Sequence, residues 1–149
     1  MTRLFLSGPL FTVAERDFNS GLARFLEARG FEVWLPQERA TRGGAKAIFQ
    51  SCIKGIEWAD AVVACMDGPD PDSGTAWEVG FAYAKEKPIV CYRSDFRSVG
   101  DTKGAPYNLM LSEAATVRIE LAPKATAADL HRRVLAQIRK ALRVRPVKR

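Results

Sequence analysis

The sequence predicts a single α/β domain with a doubly wound, five-stranded parallel sheet and helices on both of its faces. Short β-rich runs alternate with amphipathic segments along all 149 residues, which is the pattern of parallel strands joined by crossover helices. The third run, DAVVACM (60–66), is almost wholly apolar, as expected for a strand covered on both faces. A hydrophobic content of 47% in 149 residues suits one core. The expected architecture is therefore flavodoxin-like (Rossmann-like), with strand order 2-1-3-4-5.

The first half of the chain is predicted to contain two strands, RLFLSG (3–8) and FEVWLP (31–36), each followed by a helix. The first helix, over 12–30, has apolar side chains at helical spacing, and Gly30 is its stop signal. The second helix is AKAIFQSCIKGIEWA (45–59). This order, strand then helix twice over, is the expected start of a doubly wound sheet.

The second half continues the same alternation and ends in a basic tail at about 143–149. Three more strands and three more helices are predicted, the strands at 60–66, 88–93 and 116–121 and the helices at about 75–85, 107–114 and 127–142. Five residues are assigned to the core, namely Phe5, Phe18, Phe25, Val62 and Val63. The three tryptophans, Trp34, Trp58 and Trp77, are assigned to the core or to an interface.

Two unusual loops are predicted to meet at one crevice. SGPLF (7–11) follows the first strand, and the acidic loop DGPDPDSG (67–74) follows the third. In the order 2-1-3-4-5 the chain reverses direction between strands 1 and 3, and ligands bind outside the carboxyl ends of the strands at that switch point. The acidic loop is therefore expected to form one wall of a pocket.

The net charge of +6 is concentrated near the end of the chain, in RRVLAQIRKALRVRPVKR. Basic residues late in a helix oppose its dipole and keep the helix surface solvated, so we interpret this run as a solvated helix face with a tail. Aromatic side chains of the kind that stack on bases are absent from it. Nucleic acid is therefore not the expected partner.

No apolar run reaches the roughly 20 residues that a membrane span needs, and the start of the chain does not have the pattern of a signal peptide. A cytoplasmic protein without membrane contact is expected. The three cysteines are an odd number without a CxxC pair, which favours free thiols. With His131 as the single histidine, in a polar, arginine-flanked helix, no metal or other cofactor is expected.

Glu78 has two interpretations. Thr75-x-x-Glu78 has the pattern of a capping box, in which the glutamate would only satisfy backbone donors at the start of a helix, and the nearby aspartates would be turn formers. Alternatively, a carboxylate in the first turn of a helix is favoured in its ionised form by the helix dipole and is held rigidly, which suits a nucleophile. The pattern alone leaves both open.

Asp72 precedes Glu78 by six residues across a turn that contains Gly74. Paired carboxylates suit chemistry at an anomeric carbon, because one attacks the sugar and the other protonates the leaving group. Gly74 would keep the pocket floor low enough for a sugar ring to approach the backbone. This pairing requires no metal ion.

Four segments taken in order, LFLSGPLF, IEWADAVVACMDG, DSGTAWEVGFA and PYNLML, resemble the nucleoside 2-deoxyribosyltransferase family. The resemblance extends to about residue 120, and the combination is more specific than any one segment. It implies an enzyme that transfers a 2-deoxyribosyl group between nucleobases through a covalent intermediate on a glutamate. Free nucleosides and nucleobases would be its partners.

The resemblance implies roles for individual residues. Glu78 occupies the place of the nucleophile. Asp72 occupies the place of the acid that contacts the base and transfers its proton. Asn108 and Met110 match an element that enters the active site of a neighbouring subunit, so a homodimer or higher homo-oligomer is implied. Other expected contacts to substrate come from the two loops and from the end of the second strand, at Ser7, Gly8, Pro9, Phe11, Gln37, Asp67, Ser73 and Gly74.

Two alternatives remain beside the transferase. Related proteins hydrolyse nucleoside monophosphates, and Ser7, Ser112 or Arg93 would then contact the 5′-phosphate. A nucleotide sensor without catalysis would use the same crevice with Glu78 as a helix cap. The family commonly has Asp or Asn where this chain has Cys52, so the preference between purine and pyrimidine bases stays open.

Overall fold

The computed structural model of the protein describes residues 1–39 and 43–143. Most of the predicted basic tail at 143–149 lies outside these described residues. Among the described residues, no helix is both long enough and apolar enough to cross a membrane.

The sheet has the predicted topology. Its five strands are all parallel and lie in the order β2-β1-β3-β4-β5. Their bounds differ from the predicted ones by a residue or two, and they are β1 Thr2–Ser7, β2 Phe31–Trp34, β3 Ala61–Cys65, β4 Ile89–Arg93 and β5 Val117–Glu120. The fold class and strand order expected from the sequence are therefore confirmed.

The helices follow the predicted order with one addition. They are α1 Val13–Glu27, α2 Pro36–Arg39, α3 Ala45–Trp58, α4 Ser73–Ala84, α5 Leu109–Ala114 and α6 Ala127–Ala141. The short helix α2 was not expected, because its residues were assigned partly to the second strand. Pro36 ends that strand early: a proline has no backbone N–H for a strand ladder but fits the first position of a helix.

Each face of the sheet packs against its own set of helices. One core layer joins Leu4 and Leu6 of β1 to buried side chains of α1 and α6. The other joins Phe5 of β1 to buried side chains of α3 and α4, including Ile56 and Val79. Successive strand residues point to opposite faces, so Ser7 lies on the same face as Phe5, toward α3 and α4.

The predicted core residues are buried to different degrees. Phe5, Val62 and Val63 are fully buried, whereas Phe18 and Phe25 are half-buried and pack against the core layer between α1 and α6. Among the cysteines, Cys65 and Cys91 are buried free thiols, as expected for residues of central strands, and Cys52 is a half-buried free thiol.

Candidate active site

The crevice predicted from the sequence would lie at the carboxyl ends of β1 and β3. These strands are adjacent and parallel, with Ser7 paired to Ala64, so the loops that follow them leave the same edge of the sheet. The loop after β1 contains Gly8 and Pro9, and the loop after β3 leads into α4. This arrangement brings the start of α4 close to the end of β1, as the topology predicts.

Glu78 lies on α4 and reaches back to the end of β1. The helix begins at Ser73, so Glu78 belongs to its second turn and not, as expected, to its first. The buried hydroxyl of Ser7 donates a hydrogen bond of 2.5 Å to Oε2 of Glu78. This contact joins two residues that are 71 positions apart in the chain.

The surroundings of Glu78 favour its protonated form more than ordinary solvent does. Burial raises the pKa of Glu78 to about 7, and the negative charge of Asp72 acts in the same direction. Hydrogen bonds from Ser7 and Cys52 lower this pKa and so counter part of the effect of burial. Burial therefore acts against the expectation that the helix dipole favours the ionised form of Glu78.

The Cys52 thiol is a second group beside this carboxylate. Cys52 belongs to α3, and its interaction with Glu78 has the thiol as donor. Burial, the charge of Glu78 and this hydrogen bond raise the pKa of the Cys52 thiol to about 12. At neutral pH Cys52 is therefore a neutral donor and not a thiolate.

Of the two interpretations left open for Glu78, the capping box with Thr75 is wrong. The cap of α4 is Asp72, whose Oδ2 accepts hydrogen bonds from the Thr75 backbone N–H at 3.0 Å and from the Thr75 hydroxyl at 3.3 Å. Because the helix begins two residues earlier than predicted, Thr75 is itself a buried first-turn residue. Glu78 thus has no capping role, and its carboxylate bonds to a side chain of β1 instead.

Close backbone approach explains two glycines of the crevice. A Cβ atom on Gly8 would lie 3.1 Å from the Cβ of Cys65, and one on Gly74 would lie 3.1 Å from Oδ2 of Asp72. Larger residues would therefore push the loop after β1 away from β3 or disturb the cap of α4. Both glycines keep the crevice in its present shape.

Gln37 was expected to contact the base, but its amide bonds to protein groups. Its Nε2 donates to the Arg16 carbonyl and to the Ser20 hydroxyl, both at 2.9 Å, and its Oε1 accepts from Asn19 at 3.2 Å. Asn19 in turn donates to the Pro9 carbonyl at 2.9 Å. The Gln37 amide therefore supports the loop after β1 through Asn19, a residue that the sequence analysis missed.

Asp67 also uses its carboxylate within the protein. It accepts from the Ser94 backbone N–H at 2.6 Å, from the Ser94 hydroxyl at 2.5 Å and from the Asp95 backbone N–H at 2.9 Å. These contacts tie the loop after β3 to the loop after β4. Asp67 therefore has a structural function at this edge of the sheet.

Arg93 has a similar structural function. This buried side chain at the end of β4 donates to the carbonyls of Met66 and Gly68 in the loop after β3, and to that of Arg97 at 2.9 Å. Ser112 is also buried, and its hydroxyl donates to the Leu109 carbonyl of its own helix at 3.2 Å. The two Nη atoms of Arg93 and the Ser112 hydroxyl therefore already bond to backbone carbonyls, whereas Nε of Arg93 is a buried donor without a partner among the described residues.

Asn108 and Met110 lie at the start of α5. Asn108 caps this helix by accepting from the Met110 backbone N–H at 3.0 Å, and its amide donates to Asp101 at 3.2 Å. The Met110 side chain is 72% exposed, as is that of Phe11. Neither apolar side chain is covered by the described part of the chain.

An exposed group of aromatic side chains on α3 and α4 was not identified from the sequence. We define the aromatic patch as Phe49, Trp77 and Phe81. Trp77 stacks on Phe81 with ring centroids 5.4 Å apart and meets Phe49 edge-on at 5.3 Å. Phe49 and Trp77 are about half exposed, at 47% and 48%. Their spacing across two helices could only have been recognised once the packing of α3 on α4 was known.

Comparisons with known proteins agree with this architecture. The family model described as nucleoside 2-deoxyribosyltransferase matches residues 4–110, which is more than half of the chain. No curated protein matched the sequence.

Three solved structures share the fold. A conserved protein from Enterococcus faecalis V583 is 25% identical, with a TM-score of 0.71, over 92% of this chain and 99% of that chain. A 2-deoxyribosyltransferase from Bacillus psychrosaccharolyticus is 22% identical, with a TM-score of 0.69, over 99% of this chain and 100% of that chain. A CMP N-glycosidase from Clostridium botulinum is 19% identical, with a TM-score of 0.66, over 91% and 99%.

Proposed function

Because the chain belongs to the nucleoside 2-deoxyribosyltransferase family, we propose that it cleaves the N-glycosidic bond of 2′-deoxynucleosides and transfers the deoxyribosyl group to another nucleobase. The observation that supports this most directly is the position of Glu78. Its carboxylate lies at the switch point of the sheet and accepts a hydrogen bond from Ser7, and burial raises its pKa to about 7. Such a group is sufficiently ionised at neutral pH to attack carbon and is weakly enough solvated to be reactive.

In the first step, one carboxylate oxygen of Glu78 bonds to C1′ of the sugar as the bond from C1′ to the base nitrogen breaks. The electron pair of that bond leaves with the base, which takes up a proton. In the second step, a nitrogen of the incoming base bonds to C1′, and Glu78 is released as a carboxylate. Two displacements at C1′ give overall retention of configuration.

Asp72 is the residue proposed to deliver and recover the proton of the base. Both of its hydrogen bonds from Thr75 end on Oδ2, so Oδ1 is the oxygen assigned to a ligand. The cap also fixes the orientation of this carboxylate, which limits the reorganisation that proton transfer would require. Asp72 would thus combine a structural and a catalytic function.

Hydrolysis of nucleoside monophosphates is the second candidate. It differs from transfer in that water, not a base, attacks the glycosyl intermediate, and that the substrate has a 5′-phosphate. The contacts of Arg93 and Ser112 favour free nucleosides, because these side chains already bond to backbone carbonyls. A phosphate would have to replace those bonds.

A second copy of the chain is the proposed partner. The aromatic patch and Met110 present apolar side chains on the α3, α4 and α5 side of the molecule, where a protomer by itself leaves them in water. Exposed apolar groups of this kind mark interaction surfaces. We place the dimer interface on this side, with Asn108 and Met110 completing the active site of the partner. A cytoplasmic location and a function in nucleoside salvage are part of the same proposal.

One incubation series tests the function. Deoxyadenosine, deoxyinosine, thymidine and deoxycytidine are each incubated with a second free base, alongside the corresponding 5′-monophosphates, and the products are separated by chromatography. A new nucleoside is the expected product. Release of base from monophosphates alone would support the hydrolase, and no product from any substrate would support the sensor.

Glu78→Gln is the key variant in that series, and Glu57→Gln is its matched control, because Glu57 is an exposed glutamate of α3 that pairs with Lys85. The first substitution is expected to lower kcat/KM by at least about 100-fold, the scale for loss of a catalytic group. The second is expected to leave it unchanged. Equal activity of the two variants would contradict a nucleophilic role for Glu78.

A further inference from the structure

We propose that Ser7 is a positioning residue for Glu78: its hydroxyl fixes the rotation of the carboxylate by occupying Oε2, which leaves Oε1 as the oxygen that bonds to the sugar. This inference rests on the proposed function and gives Ser7 a different role from the substrate contact expected from the sequence. The role is carried by a single contact of 2.5 Å between two rigid elements.

The geometry gives Ser7 little freedom to do anything else. Its side chain is only 1% exposed, and it is the last residue of β1, where it pairs with Ala64 of the adjacent strand β3. A buried hydroxyl needs a hydrogen-bond partner, and Glu78 is the partner that Ser7 has. A donor fixed by the sheet is a more accurate reference point than one on a loop.

A glutamate needs such a reference point because its terminal torsion is soft. Rotation about the last bond of the side chain is broad and nearly two-fold, so an unrestrained carboxylate would present its oxygens in many orientations. A charge-assisted bond to one oxygen selects a narrow range of these orientations. Ser7 therefore keeps the Glu78 carboxylate in orientations from which it can reach C1′.

The same bond affects the protonation of Glu78. Two other titratable groups face the carboxylate among the described residues, the Cys52 thiol from α3 and the Asp72 carboxylate at the start of α4. Ser7 and Cys52 donate to Glu78 and lower its pKa, whereas burial and Asp72 raise it. Loss of the Ser7 hydroxyl should therefore raise the pKa of Glu78 and reduce the fraction of nucleophile at neutral pH.

The test compares Ser7→Ala with Ser7→Thr, which keeps the hydroxyl, and Ser7→Cys, which keeps a weaker donor. Ser51→Ala is the matched control, because the Ser51 hydroxyl lies on α3 next to Cys52 and donates to the Arg39 carbonyl at 3.4 Å. The pKa of Glu78 is measured by carbon-13 NMR of protein labelled at glutamate side-chain carboxyls. Glu78→Gln identifies the resonance, and thermal unfolding checks that each variant is folded.

We expect Ser7→Ala to raise the pKa of Glu78 and to move the acidic limb of the kcat/KM profile toward higher pH. Above that limb, kcat should fall by about 10- to 100-fold, the range that corresponds to a hydrogen bond to a charged group, with little change in KM. Ser7→Thr, or Ser7→Cys if threonine does not fit, should restore most of this loss. Cys52→Ala should also raise the pKa of Glu78, but by less than Ser7→Ala does.

An unchanged pKa of Glu78 in Ser7→Ala would overturn the inference. It would also be overturned if Ser7→Ala lost activity only through a higher KM, with the pH profile unmoved, because Ser7 would then be a substrate contact. The NMR titration needs no substrate. If none of the nucleosides is converted but the pKa still moves, the proposed function fails while the coupling of Ser7 to Glu78 stands; if turnover is normal and the pKa does not move, only the inference fails.

Discussion

The Asp72 carboxylate accepts a hydrogen bond of 3.0 Å from the Thr75 backbone N–H and so caps the start of α4. Asp72 is also one of the two carboxylates proposed for catalysis. The helix that it starts carries Glu78. The position of Glu78, the proposed nucleophile, therefore depends on Asp72, the residue proposed to protonate and deprotonate the base. Substitutions at position 72 can separate these two functions, because asparagine is also a good cap.

Asp72→Asn should keep the protein stable and still reduce its activity. The asparagine side-chain oxygen can accept the Thr75 N–H, but its amide cannot exchange the proton of the base, so kcat should fall by about 100-fold or more. Asp72→Ala should lose both functions and lower the free energy of unfolding by about 1 kcal/mol. Urea denaturation and steady-state kinetics measure the two effects. Full activity of Asp72→Asn on every base would limit Asp72 to capping.

Glu78 should make the protein less stable as pH rises. Its pKa is raised to about 7 in the folded protein, compared with an ordinary value of 4.5, so the folded state binds this proton more tightly than the unfolded chain does. The corresponding stabilisation is fully present below pH 4.5 and is lost as pH rises through 7. Glu78→Gln should therefore have a higher urea midpoint than the wild type at pH 8.

The difference in urea midpoint between Glu78→Gln and the wild type should shrink as the pH is lowered toward 5, where the wild-type Glu78 carboxyl is protonated in the folded state. Glu57→Gln, at an exposed position, should show no comparable trend. A difference between Glu78→Gln and wild type that is constant from pH 5 to pH 8 would show that ionisation of Glu78 is not coupled to folding.

His131 should make the protein less stable as pH falls, which is the opposite of the effect of Glu78. Its ring packs between Phe18 and Phe25, with centroid distances of 5.7 and 5.1 Å. Burial, and to a smaller extent Arg29, lowers the pKa of His131 from its ordinary value of 6.5. The unfolded chain therefore takes up the proton first, and stability is lost as pH falls below 6.5.

The variant that tests this is His131→Phe, which keeps an aromatic ring between α1 and α6 but cannot be protonated. Its urea midpoint, relative to that of the wild type, should rise when the pH is lowered from 7.5 to 5.5. The comparison is made between the two proteins at each pH, which cancels the contribution of Glu78. A constant difference between the two midpoints would mean that protonation of His131 does not affect folding.

Trp77→Lys should separate the proposed dimer. Trp77 is the central residue of the aromatic patch, and a lysine charge there would be buried without a partner on association, at a cost of several kcal/mol. Sedimentation velocity should then report a monomer where the wild type is a dimer. Activity should fall at the same time, because Asn108 and Met110 of the partner would be missing from each site.

Phe96→Lys is the control for this substitution, because Phe96 is also an exposed aromatic residue, at 69%, but lies outside the patch, in the loop after β4. It should remain a dimer with normal activity. A monomeric wild type that is fully active would contradict both the interface and the shared site.

The prediction of the sheet was accurate because it depended on local and repetitive signals. Apolar runs such as 60–66 are long enough to identify buried strands, and alternation with helices leaves few allowed topologies. Helix boundaries were harder to predict. At the start of α4, Asp72 and Thr75 are both good caps, and the sequence does not show which of them the backbone uses.

Three side chains assigned to the substrate, Ser7, Gln37 and Asp67, have hydrogen bonds to other parts of the protein, and their contact with a substrate stays a prediction. Their polarity and their place at strand ends were compatible with either role. Gln37 bonds to α1, and Asp67 to the loop after β4, so both hold the loops around the crevice. A polar residue near a site can bind a ligand or support its neighbours, and pattern alone does not distinguish these uses.

The sequence by itself determined the parallel sheet, its strand order and the edge at which the loops after β1 and β3 leave it, because each of these follows from periodicity and chain order. Only the tertiary structure decided the partner of each polar group. Ser7 and Glu78 are 71 residues apart, and their contact exists because β1 and α4 pack against each other at a particular distance and rotation. A hydrogen bond requires atoms to be placed within a few tenths of an ångström, and that precision comes from the packing of the whole domain.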